Sequence, residues 1–111
     1  MTSESKPRVY LVGTGGSISF VGRTRTDYTN YSYDGKHLTI DELLERVPET
    51  REFAEVRAEQ FLNLGSTDVT PEHWLGLAKR INEIFREDPD AAGVAVTHGT
   101  ATLEETAYFL N

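Results

Sequence analysis

TPEHWLGLAKRINEIFRED (70–88), followed by AAGVAVTHG (91–99), is the stretch that decides the fold. Thr70 stands where an N-cap belongs, and Pro71 follows at the first helical position, where its missing N–H removes no helical bond. Trp74, Leu77, Ala78, Ile81, Ile84 and Phe85 then recur at helical spacing as one apolar stripe, which assigns Trp74 to the core. The second half is a continuous apolar run ended by glycine and hydroxyls, which predicts a strand buried on both faces. A helix leading into such a strand is one half of the crossover that a parallel sheet needs.

Working outward, RVYLVG (8–13) predicts another buried strand ended by glycines. In LTIDELLERV (38–47), Thr39 and Glu42 form a capping box, Leu38 and Leu43 are placed as a hydrophobic staple, and Pro48 closes the helix. REFAEVRAEQFLNLG (51–65) alternates imperfectly and predicts a second strand around Val56 to Leu64. Thr102 with Glu105 makes a further capping box and opens a helix through Phe109. Residues 21–37 have no apolar period and predict a long surface loop, of a kind that is usually functional or mobile. The order strand, helix, strand, helix, strand, helix predicts an α/β fold: a doubly wound, mostly parallel sheet with helices on both faces. Residues 1–8 are expected to be a flexible tail and 9–111 one domain.

Bulk composition narrows the function. Eighteen acids against 11 bases give a net charge of −7, and no cluster of Lys and Arg stands out, so nucleic acid is an unexpected partner. The absence of cysteine removes disulfides, thiolate metal sites and a cysteine nucleophile, and fits a reducing, cytoplasmic setting. The apolar run Val9 to Val12 is far too short for a signal sequence or a membrane span, so no membrane partner is expected.

In a parallel sheet, ligands bind at the carboxyl ends of the strands. The segments just after the three predicted strands are GTGGSIS (13–19), GSTD (65–68) and HGTAT (98–102), each with glycine and hydroxyls. GTGGSIS is not a dinucleotide fingerprint, because the third glycine of GxGxxG would fall on Ile18, and it lacks the Lys of a phosphate-binding P-loop. It is not a nucleophile elbow either, since Ser19 stands where the second glycine should be. From spacing alone GTGGSIS reads first as a tight glycine turn with Ser17 as a local backbone cap, and only second as a site with a functional hydroxyl. Ser66, Thr67 and Asp68 are favoured turn residues. Thr100 is not needed for a cap, yet it sits where helix N–H groups favour an anion. His98 reads as satisfying buried backbone groups; His37 and His73 lie elsewhere, so no metal-ligand spacing forms.

GTGGSIS, NLGSTD and VTHGTATLEETAYFL together resemble the amino-terminal domain of the bacterial-type L-asparaginase (asparaginase/glutaminase) family, over essentially the whole chain from Val9. That family carries a TGG[TS]I motif and an HGTDT-type motif followed by EE[TS]A. The resemblance implies a hydrolase of side-chain amides that needs no metal or cofactor and works on a small-molecule amide. It places the nucleophile on Ser17, the second catalytic hydroxyl on Thr100, and an assisting loop tyrosine on Tyr31, with Tyr33 one register step away. It places substrate contacts on Gly16, Ser66, Thr67, Gly99 and position 101. There this sequence departs: Ala101 stands where the family has an aspartate that binds the substrate amino group. The family's catalytic lysine falls beyond Asn111, so the chain reads as part of a longer protein, inactive alone, and the parent is expected to be a homotetramer. Two other readings stay open: a non-catalytic module that binds a small carboxylate, and an amidase whose substrate lacks an α-amino group.

Overall fold

The computed structural model describes residues 4–29 and 35–111. Strand β1 (Arg8–Gly15) lies between β2 (Glu55–Leu64) and β3 (Gly93–Thr97), and both neighbours pair with it in parallel. Helices α1 (Ile40–Glu45) and α2 (Thr50–Phe53) connect β1 to β2, α3 (Pro71–Glu87) connects β2 to β3, and α4 (Leu103–Leu110) follows β3. The order β2-β1-β3 means that the first connection runs outward from β1 to β2 and the second runs the opposite way, across β1 to β3. Right-handed crossovers then place their helices on opposite faces.

The side chains agree. Tyr10 and Val12 point to one face, where they form the buried cluster with Leu77 and Ile84 of α3. Gly13 points to the other, where a β-carbon would lie 2.9 Å from Ile40 of α1. The absence of a side chain at Gly13 therefore lets α1 lie directly on the sheet. The expected α/β architecture, with helices on both faces, is what the chain adopts.

Several local expectations need correction. β3 is not buried on both faces: it is an edge strand, α1 lies over β1 and β2, and Ala95 is exposed. Val94 and Val96, on the α3 side, do pack against the core. Trp74 stands outside the buried cluster, because its indole stacks on Phe109 of α4 (centroids 5.5 Å apart) and its N–H bonds to Thr106. Phe85 ends the stripe with 43% of its surface exposed. After Pro48 the chain makes one more helical turn, α2, before entering β2.

The helix starts follow the sequence closely. Thr39 and Glu42 make the full reciprocal capping box, and Leu38 beside it is buried. Thr70 caps α3, with the His73 ring rather than a carboxylate returning the bond to the Thr70 N–H at 3.0 Å. The ends of the long loop are pinned together: Leu38 N–H donates to Ser19 O, Val21 N–H donates to Lys36 O, and Phe20 stacks on His37.

Candidate functional site

Parallel strands deliver their following segments to one edge, and here those segments interlock. β1 ends in Gly15 and Gly16, whose φ angles are +88° and +89°. Any side chain would be strained in that region. There would also be no room, since a β-carbon on Gly15 would lie 2.6 Å from Leu64 N. Gly16 N–H donates to Leu64 O at 2.7 Å, tying the turn to the end of β2.

The next residues, Ser17–Ser19, form a 3-10 turn that separates the two serines by role. Ser19 is buried, and its hydroxyl donates to Gly16 O at 2.7 Å. Ser17 is exposed at the head of the turn and bonds to no other described residue through its side chain. The local capping that sequence allowed for Ser17 is performed by Ser19.

After β2, Ser66 is buried while Thr67 and Asp68 face solvent. Ser66 Oγ accepts the Ala101 N–H at 3.1 Å, and Ser66 O accepts the Thr102 hydroxyl at 2.8 Å. This corrects the capping box expected at Thr102. Its hydroxyl is turned to the neighbouring loop, its backbone is not in the extended conformation of a side-chain cap, and no such cap forms. Gly99 fills the gap between the other two loops: a β-carbon there would lie 2.7 Å from Ser66 Cβ and 3.1 Å from Gly16 Cα. Thr100 and Ala101 follow at the exposed rim. Lower down, Thr14 Oγ1 donates to Thr97 O at 2.6 Å, joining β1 to the end of β3.

A chain of hydrogen bonds holds this rim from behind. Trp74 Nε1–H donates to Thr106 Oγ1 at 2.9 Å, Thr106 Oγ1 lies 2.9 Å from His98 Nε2, and His98 Nδ1 lies 2.6 Å from Gly99 O. The indole can only donate and the carbonyl can only accept. A neutral His98 therefore carries its proton on Nδ1 and accepts from Thr106 on Nε2. The backbone partner expected for His98 is thus present, as Gly99 O. Its other partners, Thr106 and through it Trp74, lie 8 and 24 positions away from it and were not expected. The visible signal is Thr106 in EETA, a polar residue on an otherwise core-facing position.

The structure thus brings Gly16, Ser17, Ser66, Thr67, Gly99, Thr100 and Ala101 to one edge. Tyr31 and Tyr33 lie outside the described residues. Of the displaced titrations, those of Asp88 and Glu55 lie at the opposite edge. There Arg8, with Tyr10, holds the Asp88 carboxyl below its ordinary range, and Arg57 and Arg8 do the same for Glu55.

The family model for the asparaginase amino-terminal region matches residues 8–111. The chain belongs to the asparaginase family. It is 44% identical over 111 residues to L-asparaginase 2 of Bacillus subtilis, covering 98% of this chain and 29% of that protein. It is 41% identical over 105 residues to a probable periplasmic L-asparaginase of Haemophilus influenzae, covering 95% and 28%. The crystal structure of a probable cytoplasmic L-asparaginase from Campylobacter jejuni superposes with a TM-score of 0.75 at 40% identity, covering 96% of this chain and 28% of that one. This asparaginase-family chain therefore spans less than a third of the length of these relatives.

Proposed function

We propose that this chain is the nucleophile-bearing part of an amidohydrolase that cleaves a side-chain amide, asparagine being the reference substrate. The observation that carries the reading is the exposed Ser17 at the carboxyl end of β1, on the same edge as Ser66 and Thr100. Relatives named L-asparaginase over nearly the whole chain support it.

In this mechanism the Ser17 hydroxyl attacks the amide carbon, and its proton, released as the C–O bond forms, ends on the amide nitrogen. The tetrahedral intermediate collapses with loss of ammonia and leaves an ester on Ser17. Water then attacks that ester, releasing a carboxylic acid and restoring the hydroxyl. N–H groups at the head of the Ser17–Ser19 turn have no partner within it and would face the oxyanion. Each donor of this kind is worth about 3–4 kcal/mol in comparable sites. Thr100 is the second hydroxyl of the reaction, Tyr31 its loop tyrosine, and Ser66, Thr67, Gly16, Gly99 and Ala101 the substrate-facing set. A cytoplasmic location and assembly from several copies belong to the same proposal, open to cell fractionation and light scattering.

The test is Ser17→Ala in the full-length protein. Ammonia release from asparagine should fall by several orders of magnitude while the circular dichroism spectrum stays unchanged. Wild-type turnover in that variant would remove Ser17 from the chemistry.

A further inference from the structure

The sequence has more acids than bases and no basic run, yet the fold gathers three arginines around one hollow. A cavity of about 660 Å³ opens beside Ser17, and Arg23, Arg25 and Arg46 stand in its wall. Arg23 and Arg25 belong to the segment that follows the Ser17–Ser19 turn, and Arg46 ends α1. All three are exposed, and among the described residues no ion pair joins any of them to an acid. One carboxylate among the described residues of the wall, Asp27, accepts the Arg23 backbone N–H at 3.2 Å.

Guanidinium groups keep their charge under all ordinary conditions, and their planar forks match a carboxylate. Among the described residues, three of them and one acid line the hollow, an excess of positive charge in a chain whose net charge is −7. A bound anion would relieve that excess. Size points the same way, because the open hollow has room for more than one free amino acid. Since Ser17 shares the wall, whatever fills the hollow is continuous with the reacting hydroxyl.

We propose that this hollow is an anion subsite for a carboxylate that the amide substrate carries at a distance from the bond being cleaved. The substrate class is then an extended, acidic amide, with the apolar side chains of Phe20 and Val21 lining the way to the arginines. Ala101 agrees, since a neutral residue there suits a substrate whose amino group is acylated and uncharged. The proposal rests on the amidohydrolase reading above.

The test compares N-succinyl-L-asparagine with N-pentanoyl-L-asparagine in the full-length protein, a pair that differs by one remote carboxylate. The succinyl compound should be favoured about tenfold or more in kcat/KM, chiefly through KM, as one charge-assisted hydrogen bond would give. The preference should shrink as salt is raised. Arg25→Gln with Arg46→Gln should abolish it, and Arg25→Glu with Arg46→Glu should reverse it. Hydrolysis of both amides at equal efficiency, or a preference untouched by charge reversal, overturns the subsite and leaves the amidohydrolase reading standing. Hydrolysis of neither amide, nor of asparagine, removes that reading and the subsite with it.

Discussion

Gly16 and Gly99 meet backbone to backbone at the carboxyl edge of the sheet. A β-carbon on Gly16 would run into the Cα and N of Gly99, and one on Gly99 would lie 3.1 Å from Gly16 Cα. The turn after β1 and the turn after β3 can therefore approach only because neither carries a side chain. Gly16→Ala should be the more damaging change, because its φ of +89° adds backbone strain of about 1–3 kcal/mol to the collision. Gly99→Ala meets Ser66 as well and should still cost activity. Urea midpoints and kcat/KM measured on both variants should fall together. A stable Gly16→Ala protein with normal turnover would mean that the two turns need not touch.

Ser66 and Thr67 are neighbours with different expected phenotypes. Ser66 is buried and accepts the Ala101 N–H, whereas Thr67 is exposed. Ser66→Ala leaves that N–H without its acceptor and should cost about 1–3 kcal/mol of stability in addition to any loss in KM. Thr67→Ala should leave the melting temperature within about a degree or two, as surface substitutions do, and act on KM alone. Equal melting shifts in the two variants would contradict this division.

The hydrogen-bond chain from Trp74 through Thr106 to His98 should behave as one unit. Thr106→Val removes an acceptor from Trp74 and a donor from His98 at once. Trp74→Phe removes only the first of these. Because both changes act through the same hydroxyl, their effects on stability should fall short of additive by about 0.5 kcal/mol or more. Strict additivity in a double-mutant cycle would show that the two bonds are not coupled through the Thr106 hydroxyl. On NMR, neutral His98 should show the Nδ1–H tautomer in the wild type.

The distribution of what sequence revealed follows from the range of the interactions. Capping at Thr39 and Thr70 and the glycine turn at Gly15–Gly16 are set within a few residues, and they are legible in order and spacing. The sheet is legible in the alternation of strands and helices. What could not be read is the commitment of groups that are local by sequence but occupied by distant partners. Thr102 looks like a cap and instead bonds to Ser66, 36 positions away. Ser17 reads as the local cap until burial assigns the capping to Ser19. Arg46 joins Arg23 and Arg25 only once α1 lies on Gly13.

Part of the pH dependence of stability should come from the amino-terminal edge of the sheet. Arg8 Nη1 donates to both oxygens of Asp88 at 2.9 Å, and Tyr10 OH donates to one of them at 2.9 Å. The Arg8 bond comes first among the causes that hold Asp88 below its ordinary value. A carboxyl depressed in the folded state stabilises fully above its unfolded pKa of about 3.9 and loses that contribution as pH falls through the folded value. Asp88→Asn should therefore lower the urea midpoint at pH 7, and the gap to wild type should close below about pH 4. A gap that stays constant down to pH 3 would place the acid sensitivity elsewhere.

Ala101 supplies the sharpest test of substrate choice. Its N–H is held by Ser66, its side chain is at the exposed rim, and the family's motif carries an aspartate at this position. An α-ammonium brought into a site without a charged partner is costly to desolvate. A charge-assisted hydrogen bond lost there is worth about 1.5–3 kcal/mol, or roughly ten- to a hundred-fold in affinity. The full-length protein should therefore discriminate weakly between asparagine and succinamic acid, which lacks the amino group. Ala101→Asp should restore preference for asparagine, because an exposed position leaves room for the carboxylate and the backbone bond to Ser66 does not depend on the side chain. The measurement is the ratio of kcat/KM for the two substrates in both proteins. A strong wild-type preference for asparagine that Ala101→Asp leaves unchanged would mean that another residue reads the amino group, and that the alanine between Thr100 and Thr102 has no part in selecting the substrate.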